Sequence, residues 1–252
     1  RNLSMITPRR LSIPIILTVG MLLAAILSCN FNFETREDMT ITYKQYYSIT
    51  PPSLLSSIGQ NGDTPFTPIV DRPELPPFGQ QIPVNWKQVD YMRIANALFE
   101  DIWGETNDGW LLKSMDFALH CTQIDNGFQN AHFRYFRDEK AQEQEIRVER
   151  SIHIDPRSKS VYVSEYIYSP RLVDWDSVDL MQLFSADDVL ALAESTGAKE
   201  KRLAVDNVCD ITLLISPDPG TYQGWKVRYS NSDVVNLFDM RVDPITGEID
   251  SP

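Results

Sequence analysis

Residues 110–121, Trp-Leu-Leu-Lys-Ser-Met-Asp-Phe-Ala-Leu-His-Cys, decide the fold: Met115, Phe117, Leu119 and Cys121 alternate with Ser114, Asp116, Ala118 and His120. Strict alternation puts successive side chains on opposite faces of an extended chain, so this stretch is predicted to be a strand with one buried face. Two more strands follow. Ala131, Phe133 and Tyr135 share one phase, and Ile146, Val148, Ile152 and Ile154 share another, with Val161 and Val163 as a continuation. Ahead of them, Met92, Ala95, Leu98, Phe99 and Ile102 recur at helical spacing, which predicts an amphipathic helix over 90–103.

The same order recurs further on. Ser185-Ala186-Asp187-Asp188 places a capping hydroxyl three residues before a carboxylate, a helix start, and the helix is expected to stop at Gly197. Strands are then expected at 208–216, 225–230 and 237–242. Phe133-Arg134-Tyr135 is answered by Val227-Arg228-Tyr229. Ile154-Asp155-Pro156-Arg157-Ser158-Lys159 is answered by Val242-Asp243-Pro244-Ile245-Thr246-Gly247-Glu248. A repeated unit of one helix followed by an antiparallel meander predicts an α+β architecture of two modules, over 87–170 and 171–252.

The second unit resembles a PepSY-like, broadly cystatin-like, domain. The resemblance rests on the helix ending Ala191-Leu192-Ala193-Glu194-Ser195-Thr196-Gly197, on Trp225-Lys226-Val227-Arg228-Tyr229, and on the Asp243-Pro244-Ile245-Thr246-Gly247 turn. It covers about 70 residues; the first unit fits more loosely, with Lys159 where the turn glycine would stand. The resemblance implies a non-catalytic role in binding, inhibition or assembly, and it implies no active-site residue.

Residues 1–28 hold no acidic residue. Arg1, Arg9 and Arg10 precede an apolar run from Leu11 to Leu27, the order of an export signal. Ile26-Leu27-Ser28-Cys29 looks like a bacterial lipobox, in which Cys29 would carry the lipid and become the first residue of the mature chain. The alternative is an uncleaved transmembrane anchor, since the run is long enough to span a bilayer. A third reading is a signal cut off to leave a soluble form; all three put residues 30–252 on the extracytoplasmic side, because the arginines stay inside. Between 30 and 86 no hydrophobic period persists, and 51–83 hold eight of the sixteen prolines. Such composition favours extended chain, so 30–86 is expected to be a tether, with 41–47 able to order against the folded part.

A formal net charge of −12 repels phosphate backbones and disfavours nucleic-acid binding. No Gly-x-Ser-x-Gly elbow, phosphate-binding loop, dinucleotide fingerprint or His-Glu-x-x-His pair occurs, so no enzyme class is indicated. No cofactor is expected beyond the lipid on Cys29. His120, His132 and His153 all fall on the polar phase of their strands. A hairpin symmetric about Asn126 would set His120 opposite His132 and Leu119 opposite Phe133, and His153 would join them in the right register. Three histidines on one face would form a candidate metal site; exposed polar residues are the plainer reading.

Cys121 and Cys209 share the inward phase. They read either as two buried thiols or, in an exported protein, as a disulfide clamping the two units. Trp175, Val178 and Leu180, in the connection 172–184, are candidate contacts for a protein partner. The expectation for function is a membrane-anchored, extracytoplasmic binding or assembly protein without catalysis, an accessory subunit or a peptidase-modulating lipoprotein. The alternative is a metal- or small-ligand-binding lipoprotein that uses the histidine face.

Overall fold

The chain builds its sheet outward from the stretch read first: β3 (Leu111–His120) has β4 (Asn130–Ala141) on one side and β7 (Asp210–Ile215) on the other, both antiparallel. A computed structural model describes residues 38–58, 65–74, 84–171, 174–178, 184–216, 224–232 and 236–250. Beyond β4 come β5 (Gln144–Asp155), β6 (Ser160–Ser169), β1 (Asp38–Ser48) and β2 (Thr67–Ile69). Beyond β7 come β8 (Trp225–Ser230), β9 (Phe238–Val242) and the two-residue β10 (Ile249–Asp250). Among the described residues the order is β10-β9-β8-β7-β3-β4-β5-β6-β1-β2, ten strands in one sheet with every neighbouring pair antiparallel.

This overturns the expected pair of helix-plus-meander modules. β3 and β7 are hydrogen-bonded neighbours from Met115↔Ile215 to His120↔Asp210, so the two halves fuse into one antiparallel sheet. The physical reason is the edge: two separate meanders would each leave a row of unpaired N–H and C=O groups at β3 and β7, and pairing these strands removes both rows at once.

One face of the sheet carries the helices. Helix α2 (Gln88–Trp103) buries Tyr91, Ile94, Ala95, Leu98 and Phe99. Phe99 packs edge-on against Trp110 and Tyr135, and Tyr91 against Phe117. Helix α2 ends where Gly104 enters the left-handed region at φ 66°. Helix α3 (Ala186–Ala193) opens with the expected reciprocal cap: the Asp188 N–H donates to Ser185 Oγ (3.1 Å) and the Ser185 N–H to the Asp188 carboxylate (3.3 Å). The two helix starts also bind each other. The Gln88 N–H donates to Asp187 Oδ2 (3.0 Å), and the Ala186 N–H donates to Gln88 Oε1 (2.6 Å). The expected stop at Gly197 is a kink instead, because Gly197 takes φ 117° inside a wide turn and the chain resumes as α4 (Lys199–Leu203).

Part of the stretch expected to be tether, 30–86, is folded. Residues 38–48 form β1, paired with β6 along its length, and Pro51–Ser57 form α1 with proline at the start, where its missing N–H costs nothing. Tyr47 and Ile49 are buried in the common core. Within 30–86 the prolines begin only at residue 51, which leaves the Thr-Ile-Thr-Tyr run before them free to pair. The stretch expected to be a signal sequence, with Cys29, lies outside the described residues.

The two Asp-Pro turns are built alike. Asp155 Oδ1 accepts the Arg157 N–H (2.9 Å). Asp243 Oδ1 accepts those of Ile245 (2.9 Å) and Thr246 (2.7 Å), which holds the Asp243 carboxyl below its usual range. Lys159, which replaces the glycine, adopts φ 52° all the same.

Candidate functional site

Directly opposed residues on neighbouring strands share a face, so the registers themselves assemble a site. Asp116 in β3 stands opposite His132 in β4, His132 opposite His153 in β5, His153 opposite Tyr162 in β6, and Tyr162 opposite Tyr46 in β1. This row crosses five strands on the face away from the helices. Ser114, Arg134, Ser151, Ser164 and Lys44 form the row beside it.

Asp116 Oδ2 lies 3.2 Å from His132 Nδ1, and His132 Nε2 lies 2.7 Å from Ser151 Oγ. Carboxylate, imidazole and hydroxyl thus follow one another in the order that activates a serine. The carboxylate favours the tautomer with hydrogen on Nδ1, leaving Nε2 to accept from Ser151. Ser151 is only 6% exposed and sits in mid-strand, with β4 and β6 paired on either side. Backbone N–H groups near it serve the two ladders and are not turned toward a developing oxyanion, the element on which acyl transfer depends most. The network orients His132 on the sheet.

The rings of His132 and His153 approach edge to face with centroids 5.8 Å apart. Burial lowers the pKa of His153, and the neighbouring His132 lowers it further, so His153 is neutral at pH 7. His120 does not join this pair. It stands opposite Asp210, is nearly buried, and its Nδ1 accepts the Thr122 N–H (3.3 Å); burial lowers its pKa too.

The expected Asn126-centred hairpin fails because Cys121–Asn126 coil into a 3-10 turn and β4 begins only at Asn130. Asp116 therefore takes the place expected for His120, and Met115 that expected for Leu119 opposite Phe133. Among the described residues, no group of three or more His, Cys, Asp and Glu side chains is arranged to hold a metal ion.

Cys121 and Cys209 form a disulfide, Cα atoms 5.3 Å apart, between the end of β3 and the approach to β7. The Cys121 N–H also donates to the Cys209 carbonyl (2.8 Å). No family model, no curated protein and no solved structure matches this chain.

Of the three residues expected to meet a partner, two are engaged within the chain. Trp175 packs edge-on against Phe136 and Tyr168, with Lys113 Nζ 3.2 Å from its ring centroid and the Arg147 guanidinium 4.5 Å away. Val178 is buried and donates its N–H to the Leu112 carbonyl (2.7 Å). Leu180 lies outside the described residues. Residues 174–178 thus strap down one end of the open face, over Arg147, which is 1% exposed and paired with Asp138 (2.7 Å).

Met39 and Ile41, 55% and 49% exposed, lie opposite Tyr168 and Tyr166, toward the strapped end. At the other end the face stays open. A cleft of about 230 Å³ lies there, bounded by Tyr46, Arg72, His153, Asp155, Ser160 and Tyr162. A second, of about 320 Å³, shares Tyr46 and Tyr162 and adds Lys44 and Val70. Sequence reasoning missed Tyr46, Lys44 and Arg72 because they fall in the stretch read as tether. The signal available was the β-branched and aromatic run 40–47.

Proposed function

We infer that this chain is a membrane-held, extracytoplasmic binding or assembly protein whose working surface is the open face of the sheet, at the end formed by β5, β6 and β1. The observation that carries this reading is the tyrosine-bearing end of the polar row. There Tyr46 and Tyr162 stand with exposed Val70, aromatic and apolar anchors within a polar surround, the composition that lets a surface bind another molecule. The reading is non-catalytic, since Asp116, His132 and Ser151 have no oxyanion donors arranged around them.

The location is supported from two directions. The Cys121–Cys209 disulfide is of a kind that persists in oxidising compartments outside the cytoplasm. The basic start, the apolar run and Ile26-Leu27-Ser28-Cys29 are the order of a lipoprotein signal. Lipid on Cys29 would hold the sheet near the membrane surface, and the acidic surplus of the chain would keep it off anionic headgroups.

Extraction of the native protein in mild detergent, followed by size fractionation and intact mass, tests the proposal. It predicts a discrete assembly with a constant protein companion and a chain mass reporting lipid on Cys29. A chain that runs alone at monomer mass would overturn the assembly reading.

A further inference from the structure

We propose that the cleft between Arg72 and the His153–Tyr162 pair is a binding site for a small aromatic carboxylate.

The charges and hydrogen bonds already spent in the cleft define what remains. Asp155 is satisfied: Arg157 Nε donates to Oδ1 (3.0 Å), Arg157 Nη2 to Oδ2 (2.9 Å), and the Arg157 backbone N–H to Oδ1. This carboxylate and its guanidinium cancel. Ser158 Oγ is held by Ser160 Oγ (2.6 Å) and by the Asp155 carbonyl (3.2 Å). Left facing the cleft are the exposed guanidinium of Arg72, the neutral imidazole of His153 and the Tyr46 hydroxyl, none of which has a hydrogen-bond partner among the described residues. Asp71 and Glu74 flank Arg72 in the chain but form no ion pair with it.

One net positive charge, carried by a planar fork, suits a planar monoanion, and a carboxylate accepts two parallel N–H bonds from such a fork. Phosphate, with charge near −2, would leave its second charge uncompensated here.

Tyr46 and Tyr162 set the rest of the ligand. Their rings lie 4.7 Å apart, tilted by 39°, and form the wall common to both clefts, so a ligand whose carboxylate meets Arg72 lays its body on this wall. An aromatic ring gains from edge-on or offset contact with such a surface. Val70, 97% exposed, stands on the far side of the wall and extends the apolar rim.

The test is a ligand-observed NMR titration of the full chain in mild detergent, with benzoate, benzamide, acetate and inorganic phosphate as separate probes. Benzoate is expected to bind, with benzamide about tenfold weaker or worse, the loss for removing a charge-assisted hydrogen bond. Arg72→Gln is expected to weaken benzoate about tenfold and Arg72→Lys to recover part of it. Tyr46→Ala is expected to weaken benzoate while leaving acetate nearly unchanged. Since Arg72 is exposed, its variants should keep the wild-type circular dichroism and melting temperature, which verifies that a loss belongs to the site.

Equal binding of benzoate and benzamide, benzoate affinity unchanged by Arg72→Gln, or displacement of benzoate by phosphate at equal concentration would each overturn the carboxylate site. Retention of a companion by Arg72→Gln together with no benzoate binding by the wild type would overturn it too, and would leave the assembly reading intact.

Discussion

The rings of Phe117 in β3 and Trp225 in β8 pack with centroids 6.3 Å apart on the helix side of the sheet, across β7. Phe117 also meets Tyr91 of α2, Phe128 and Phe133, and all five side chains are nearly or fully buried. One residue thus ties the first helix to the strands of both halves. Removing a buried phenyl ring costs about 3–5 kcal/mol through lost transfer energy and the cavity left behind. Phe117→Ala is expected to lose stability in that range and to melt both halves in the same single transition as the wild type. Two separate transitions, followed by fluorescence and by hydrogen exchange, would contradict a common core.

The disulfide offers a second measure of how the halves are joined. Cys121 and Cys209 are 88 residues apart. Closing a loop of that length in the unfolded chain is worth about 4–5 kcal/mol on the chain-entropy account. Cys121→Ala with Cys209→Ala is expected to lower the melting temperature by about 10 °C or more for a chain of this size. Reduction of the wild type should give the same loss. A wild-type melting temperature indifferent to reductant would show that the bond is not formed.

Acidification acts through the buried histidines. Burial and the nearby His132 lower the pKa of His153 in the folded protein, with Asp155 and Asp116 opposing and Arg157 adding to the effect. The unfolded chain takes up this proton near pH 6.5, the folded chain only at lower pH. Below about 6.5 the unfolded state therefore binds more protons, and stability falls as pH falls. His153→Gln removes this contribution. The difference in melting temperature between wild type and His153→Gln is expected to shrink from pH 7.5 to pH 5, and a difference that stays constant would contradict the assignment.

Two glycines separate conformational strain from crowding. Gly104 and Gly127 both have positive φ, 66° and 77°. A Cβ on Gly104 meets nothing within 4 Å, whereas one on Gly127 would stand 2.7 Å from the Trp86 carbonyl oxygen and 2.9 Å from its nitrogen. Gly104→Ala is expected to cost about 1 kcal/mol, the left-handed penalty alone. Gly127→Ala is expected to cost distinctly more in denaturant titration, because backbone cannot move aside as a side chain does. Equal losses would contradict the close approach of residues 85–86 to the turn after β3.

Sequence pattern was a good guide wherever one side chain in two was apolar. Met115, Phe117 and Leu119, or Val227 and Tyr229, announce their strands because a half-buried strand must alternate. Pairing between halves carries no such mark: nothing in Ile211, Leu213 and Ile215 says that their partners are Leu119, Phe117 and Met115, more than ninety residues away. Register was illegible for a related reason. The chain spends Cys121–Asn126 in a 3-10 turn, which no periodicity announces, and that turn moves Asp116 rather than His120 to the side of His132. Arg72 and Tyr46 were hidden by composition, since the prolines from 51 onward made all of 30–86 read as tether although the strand with Tyr46 ends at Ser48.

The central claim is that the open face at β5, β6 and β1 is the surface on which this protein meets its companion. Hydroxyl-radical footprinting of the native detergent extract, compared with the chain separated from its companion, tests it most directly. The account predicts that Tyr46, Tyr162 and Val70 are protected in the assembly, while Val89 on α2 and Leu203 on α4 are labelled equally in both samples. Protection of Val89 and Leu203 with no change at the tyrosines would contradict it.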